Sequence, residues 1–326
     1  MQFRTLGKTG FSISEISLGT WQVGGKWGDP FSHENADRIL NAAADAGINL
    51  IDTADVYGDG ESEKAVGRLV RSRSERIYVA TKCGRRLQPH INEAYQPAAL
   101  RKFVDDSLRN MGLETLDLIQ LHCPPTDVYY RPELFEVFDR LKEEGKIQNL
   151  GVSVEKVEEA LKAIEYPNVT TVQIIFNMFR QRPAELFFTE AKRRNIGVIV
   201  RVPLASGLLT GKFDQNTTFS QDDHRTFNRQ GDAFDKGETF SGVDYETGLA
   251  AVDELKTVFP NGLAVDALRW ILTFDAVSCV IPGASKPEHL IANVQAADRP
   301  APSPEQLAAV SRIYDERIKN PVHYLW

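Results

Sequence analysis

The sequence predicts an α/β fold built on parallel strands, and three observations point there. Short apolar runs that read as strands alternate with amphipathic stretches that read as helices, the order that produces a parallel sheet. Eight such strands can be counted, with no linker and no internal repeat between them. Four polar residues of different chemistry, Asp52, Tyr57, Lys82 and His122, each fall at or just past the end of one of these runs. Parallel strands of one sheet share an end. If the sheet closes into a barrel, the four converge on one mouth, where such barrels hold their active sites.

The elements follow in order. Phe3 to Ser14 alternates around Lys8-Thr9-Gly10 and reads as a small hairpin, and Ile16 to Gly19 is the first strand of the main sheet. Ser32 is placed to cap a helix reaching Ala46, with Gly47 ending it. Leu50 to Asp52 begins the second strand, with Tyr57 in the loop behind it, and a helix runs from Ser62 to Val70. The third strand, Ile77 to Lys82, leads to a helix from Pro97 to Met111 that stops at Gly112. The fourth, Leu118 to His122, leads to a helix from Leu134 to Glu144 that stops at Gly145. Strands five to eight are Asn149 to Ser153, Thr171 to Ile175, Gly197 to Arg201 and Val277 to Ile281.

With 326 residues, 42% hydrophobic and 25% charged, the chain has the composition of a soluble globular protein, and one barrel with loop insertions accounts for the length better than two domains. A net charge of −7 argues against nucleic acid or an anionic membrane as the main partner. No apolar stretch of ~18 residues and no signal-peptide pattern after Met1 are present, so a cytoplasmic protein is expected. Cys83, Cys123 and Cys279 form no CxxC pair and no zinc spacing, and no metal site is expected. Cys83 and Cys123 directly follow Lys82 and His122 and are read as ordinary buried thiols rather than a redox pair.

A phenol, an ammonium, a carboxylate and an imidazole that converge make an acid for protonating a developing alkoxide. A free tyrosine, with a pKa of about 10, is a poor acid near neutrality, but a cation beside it favours the phenolate and lowers that value. Lys82 supplies the cation, Asp52 pairs with Lys82 to hold it charged and in place, and His122 orients the carbonyl oxygen or shares its proton. A carbonyl also needs a hydride, which no side chain donates, so the chemistry calls for a nicotinamide cofactor.

These residues bring out a resemblance. Asp52-Thr53-Ala54-Asp55-Val56-Tyr57-Gly58 with Gly60-Glu61-Ser62-Glu63, Thr81-Lys82, Asp117 to His122, Gly151-Val152-Ser153, Gln173 with Asn177, Pro203 to Lys212, and Ile281 to Lys286 stand in the order found in the aldo-keto reductase superfamily, which the sequence resembles from Leu6-Gly7 to about Asn293. The resemblance implies a (β/α)₈ TIM barrel with the N-terminal hairpin at its bottom and a long loop after strand seven, one domain spanning 1–326. It implies a catalytic tetrad of Asp52, Tyr57, Lys82 and His122, and a dinucleotide extended across the barrel mouth. Gly19, Thr20 and Trp21 would line the nicotinamide and substrate end, Asp52 would lie beside them, and Ser153 and Gln173 would hold the carboxamide. Leu204, Ser206, Leu208 and Lys212 would follow the pyrophosphate. Gly283, Ser285, Lys286, His289 and Asn293 would take the adenosine end, where a cationic Lys286 near a helix start suits the 2′-phosphate of NADP, with NAD as the other possibility.

Three positions depart from the family pattern: Val154 beside Ser153 where many relatives have Asn, Arg201 where an aromatic often stacks on the nicotinamide, and His289 in place of a frequent Gln. The expected activity is reduction of a small aldehyde, ketone or sugar by NADPH in a protein that is a monomer by default, a homo-oligomer being the alternative. An NAD-dependent sugar dehydrogenase is the second reading, and a nucleotide-sensing subunit of a potassium channel is a reading from another class.

Other features take simpler readings. Arg85 and Arg86 read as solvated surface arginines, and Trp21, ahead of Trp27, as a wall of the substrate pocket. The aromatic tail Pro321 to Trp326 is expected to pack on a barrel flank by default, docking near the mouth or at an interface being the alternative. Phe213 to Tyr245 lacks sustained periodicity, but its five phenylalanines argue for a segment that folds down, read here as a loop closing over the cofactor. Substrate choice is expected in this loop and in Lys26 to Ser32 and Cys123 to Arg131.

Overall fold

The computed structural model describes residues 1–25 and 30–326. β1 (Phe3–Thr5) and β2 (Ser12–Ser14) pair antiparallel as the expected hairpin. The chain then alternates: β3 (Leu18–Gly19), α1 (His33–Asp45), β4 (Leu50–Asp52), α2 (Glu61–Ser72), β5 (Tyr78–Cys83), α3 (Pro97–Met111), β6 (Leu116–His122), α4 (Pro132–Glu143), β7 (Ile147–Ser153), α5 (Val157–Ala163), β8 (Val169–Ile175), α6 (Phe187–Arg193) and β9 (Gly197–Arg201). After β9 come α7 (His224–Phe227), α8 (Tyr245–Val258), α9 (Leu263–Ile271), β10 (Val277–Val280), α10 (Pro287–Val294), α11 (Pro304–Ile313) and α12 (Lys319–Val322). Strands β3 to β10 form one parallel sheet in sequence order. Its edges meet: Ile16 and Gly19 bridge Val280 and Gly283, and the Ser17 amide donates to the Val280 carbonyl at 2.9 Å. The (β/α)₈ barrel is closed.

Period-two alternation decides what faces the barrel axis. Ile51, Val79, Ile119, Val152, Val172, Val198 and Val280 point outward into the apolar layer shared with the helices. Leu50, Ala80, Leu118, Ile199 and Cys279 point inward and pack with Leu6 and Ile13 of the hairpin, which stops the bottom of the barrel. Gly7 is what lets the hairpin seat: it has a φ of 49°, and a Cβ there would lie 2.1 Å from the Gly197 amide nitrogen. Two residues above Leu50, Ala80 and Leu118, the same alternation carries Asp52, Lys82 and Gln120 to the top.

Helix ends follow local chemistry. The Ser32 hydroxyl accepts from the Asn35 amide at 3.2 Å and caps α1, and α3 stops at Gly112 with a φ of 62°. α4 starts at Pro132, two residues ahead of the expected Leu134, because proline fits the first helical position. β7 and β8 also start earlier than the apolar runs indicate, at Ile147 and Val169, where exposed Gln148 and the threonines Thr170 and Thr171 interrupt the hydrophobic pattern.

The segment after β9 folds down as its phenylalanines suggest. Phe219 packs against Phe213, Phe240 and Tyr245 with ring centroids 5.2, 5.9 and 6.2 Å apart. Asn228 organises the turn beyond α7, its Oδ1 accepting from the amides of Ala233 and Phe234 and its Nδ2 donating to Thr239 Oγ1 at 3.2 Å. The tail does not lie simply on a barrel flank. The Trp326 ring sits 4.1 Å beneath the buried Arg180 guanidinium and against Gly237 and Gly242 of the long loop. Two glycines leave room for the indole there, and its π face answers a guanidinium whose Nε and Nη1 find no hydrogen-bond acceptor among the described residues.

Candidate active site

Asp52, Lys82, Gln120 and Gln173 form a hydrogen-bonded layer just below the mouth. Lys82 Nζ donates to Asp52 Oδ1 at 2.5 Å and to the Thr53 carbonyl at 2.7 Å. Asp52 Oδ2 accepts from Gln173 Nε2 at 2.7 Å and from Gln120 Nε2 at 3.2 Å. Lys82 and Asp52 are 1% and 2% exposed, so neither charge is paid for by water. Burial, the largest single influence, pushes the ammonium towards neutrality, but the Asp52 charge, then Tyr57 and the hydrogen bonds to both, together hold the Lys82 pKa above its ordinary value.

Tyr57 follows β4 in a tight turn, where Gly58 and Asp59 take φ values of 57° and 54°. Its hydroxyl lies 3.5 Å from Lys82 Nζ, and its ring meets His122 edge-on, centroids 6.1 Å apart. The expected lowering of the phenol pKa is not what this environment produces. Burial raises it, Asp52 and Glu238 add to the rise, and Lys82, whose charge is largely answered by Asp52, only opposes them in part. The phenol is therefore held protonated. His122 is held well below the ordinary histidine value by burial and then by the cations Arg85, Lys82 and Arg201, so its ring is neutral at neutral pH. Its Nδ1 is buried and has no hydrogen-bond partner among the described residues.

A cavity of about 350 Å³ opens over this group, walled by Trp21, Val56, Arg85, Arg201, Phe234 and Glu238 among others. A second hollow of about 610 Å³ shares Trp21, Gln22, Val56, Tyr57, His224 and Arg225 with it and reaches Ser285. Charges cross-link the upper wall. Arg85 pairs with Glu238 at 3.2 Å, and Arg201 pairs with Glu155 at 2.8 Å and with Glu238 at 3.7 Å. Arg201 also donates to the Val154 carbonyl at 3.1 Å. Burial would raise the Glu238 pKa, but Arg85 and Arg201 hold it well below the usual carboxylate range; burial and then Glu238 push Glu155 the other way, against the pull of Arg201. Ligand atoms of Cys123, Glu155 and Glu238 lie within 4.8 Å of one another, and the positive charge beside them comes from the two guanidiniums.

Residues 15–315 match the sequence model of the Aldo/keto reductase family. The chain belongs to this family. Aldo-keto reductase YhdN of Bacillus subtilis is 30% identical, over 99% of this chain and 96% of its own. A putative voltage-gated potassium channel subunit beta of Schizosaccharomyces pombe is 30% identical, over 91% and 88%. Among solved structures, a glycerol dehydrogenase from Gluconobacter oxydans superposes with a TM-score of 0.78 at 32% identity, over 98% of this chain and 97% of that one. Aldo-keto reductases are oxidoreductases that use nicotinamide nucleotides, and the site has features suited to one. Gly19 stands where a Cβ would lie 2.9 Å from the Ile281 carbonyl oxygen, so the absence of a side chain lets the two strand ends approach at the mouth, which Ser153 and Gln173 also line. The two hollows adjoin, and His122, whose Nδ1 has no partner among the described residues, lines the first while Ser285 lines the second.

Of the residues expected to touch cofactor in this aldo-keto reductase, Gly19, Thr20, Trp21, Asp52, Ser153, Gln173, Arg201, Leu204, Ser206 and Gly283 line the first cavity, and Ser285 lines the second. Lys212, Lys286 and His289 are exposed outside both, Lys286 at the N-terminal cap of α10. His289 meets the Ser285 hydroxyl at 3.2 Å, and Asn293 Nδ2 donates to the Gly283 carbonyl at 3.3 Å. Two of these residues have their side chains engaged elsewhere. The Leu208 side chain is buried in the core, because the turn from Ala205 to Thr210 points it inward. The Ser206 hydroxyl is occupied by the long loop, donating to the Glu238 carbonyl at 2.8 Å and accepting from the Phe240 amide at 3.1 Å.

Arg85 is not a solvated surface residue. It lines the cavity against Glu238. Arg86 does stay at the surface, paired with Asp59. Trp21 lines the cavity as expected, while Trp27 lies outside the described residues. Cys83 and Cys123 are both buried free thiols. Glu155, His224, Phe234 and Glu238 were not legible as site residues: three come from the aperiodic stretch, and Glu155 follows β7 as one more charge in a run of charged residues.

Proposed function

We propose that this aldo-keto reductase reduces a small aldehyde or ketone with NADPH, and that Tyr57 is the general acid. The observation that carries the proposal is a protonated phenol whose oxygen lies 3.5 Å from a buried, charged Lys82, at the floor of a cavity beside a neutral imidazole. When bound, the nicotinamide supplies a hydride to the carbonyl carbon. The chain's own residues deal with the oxygen. The Tyr57 hydroxyl delivers the proton as negative charge builds there, and Lys82 stabilises the phenolate left behind. Asp52 is a positioning residue: it keeps Lys82 charged, and Gln120 and Gln173 fix its second oxygen. His122, held neutral, hydrogen-bonds the same oxygen and orients the carbonyl.

Gly19, Thr20, Trp21, Ser153 and Gln173 would hold the nicotinamide, Leu204 and Ser206 would flank the pyrophosphate with Lys212, and Ser285, Lys286, His289 and Asn293 would surround the adenosine. Lys286, exposed immediately before α10, supports NADP over NAD, since a cation beside a helix N-terminus favours a phosphate. The glycerol dehydrogenase relative supports a second reading, oxidation of a polyol by the same residues run in reverse. A monomer in the cytoplasm remains the simplest setting.

The test is quenching of protein fluorescence by NADPH and NADH titrated separately, followed by turnover of aldehydes, ketones and sugars. NADPH preference with aldehyde turnover supports the reading. NADH preference with alcohol oxidation points to the dehydrogenase, and tight binding without turnover overturns both.

A further inference from the structure

The wall of the cavity facing the tetrad is charged, and the charges are arranged as donor and acceptor side by side. Arg85, just beyond β5, and Glu238, in the long loop, meet at 3.2 Å with side chains still 21% and 13% exposed. Each retains unused hydrogen-bonding capacity, N–H groups on the guanidinium and lone pairs on the carboxylate. Phe234 lies beneath the Arg85 guanidinium at 5.7 Å and edge-on to Trp21 at 6.5 Å, so the pair is framed by aromatic faces. The Glu238 charge reaches Tyr57 and the Arg85 charge reaches His122, which puts the pair within electrostatic range of the place where the carbonyl oxygen reacts.

We propose that Arg85 and Glu238 form a hydroxyl-recognition subsite, so that the preferred substrate is a short carbonyl compound with a hydroxyl on the carbon next to the carbonyl. The inference rests on the reductase reading of the site. A hydroxyl is donor and acceptor at once: it donates to the Glu238 carboxylate and accepts from Arg85, while the carbon skeleton lies on Trp21 and Phe234. A plain aliphatic aldehyde would strip water from both groups and replace it with nothing, the situation in which a polar site rejects the analogue that lacks its hydroxyl. An anionic substrate fits less well. Glu238 lies against both guanidiniums of this wall, Arg85 and Arg201, and its carboxylate repels a second anion.

The experiment compares kcat/KM for glyceraldehyde and glycolaldehyde with that for propanal, each corrected to the free carbonyl form, with 4-nitrobenzaldehyde as a general probe of turnover. The wild-type protein is expected to favour the hydroxyaldehydes by about tenfold or more. In Glu238→Ala and Arg85→Met that ratio falls towards one, and nucleotide quenching shows that each variant still has a formed site. A ratio near one in the wild type, or one unchanged in either variant, overturns the subsite while turnover of propanal and 4-nitrobenzaldehyde leaves the reductase reading standing. No turnover of any carbonyl overturns both. If a variant fails to bind nucleotide, the wild-type ratio decides alone.

Discussion

Two substitutions test the residues at the barrel mouth separately. Tyr57→Phe removes only the proton donor, leaving the ring against His122 and the ion pair beneath it, so kcat should fall by about 10²–10⁴-fold with nucleotide quenching largely unchanged. Near wild-type turnover would mean that another group is the acid. Asp52→Asn acts one step further back. It leaves Lys82 buried without its counter-charge, and urea unfolding at pH 7 should show a loss of about 3 kcal/mol along with the loss of turnover; a loss below about 1 kcal/mol would mean that Lys82 is neutral in the folded protein. These residues were legible because each ends an apolar run, and parallel strands bring such ends together. Arg85 was not. Its neighbour Arg86 makes the two look like a surface pair, and the partner that draws Arg85 inward, Glu238, lies 153 positions away in a stretch with no periodicity to place it.

At the scale of elements, sequence pattern located the strands because outward Val and Ile and inward Leu and Ala alternate cleanly, and it missed strand starts where Gln148 and Thr170 interrupt that alternation. The hairpin was legible, but what seats it was not: a contact between Gly7 and Gly197 is a property of the closed barrel alone. Gly7→Ala places a methyl 2.1 Å from the Gly197 nitrogen at a φ of 49°. It should cost about 2–3 kcal/mol in urea unfolding, through overpacking and backbone strain together, while leaving the mouth at the opposite end able to bind nucleotide. Unchanged stability would show that the hairpin does not bear on the barrel floor. The tail was misplaced for a similar reason. Nothing local in Pro321 to Trp326 announces Arg180, whose cation the indole covers from across the long loop.

The whole molecule exposes 13556 Å², close to the ~13,500 Å² expected of a monomeric protein of its mass, yet it hides several ionisable groups near the mouth, and these couple its stability to pH. Asp55 is the clearest case. It is 2% exposed, and both its oxygens lack partners among the described residues. Burial, then the nearby Glu63, raises its pKa to about 7 against the pull of Arg86, the Val56 amide and Lys82. In the unfolded chain it titrates near ~3.9. Between these values the folded state holds a proton that the unfolded state has released. The contribution to stability is therefore full below the unfolded value and is lost as pH rises through the folded one. Glu155, raised to about 8, works in the same sense. His122 and His224, both lowered, work in the opposite sense below the ordinary histidine value, so the informative quantity is the difference between wild type and Asp55→Asn. That difference cancels the histidines and isolates one carboxyl. Relative to wild type, the amide variant should gain about 2 kcal/mol in urea unfolding between pH 5.5 and pH 8.5. A difference that stays flat over this interval would mean that Asp55 ionises in the fold as it does in water, with a solvent path to its carboxyl that the closed loop behind Tyr57 does not provide.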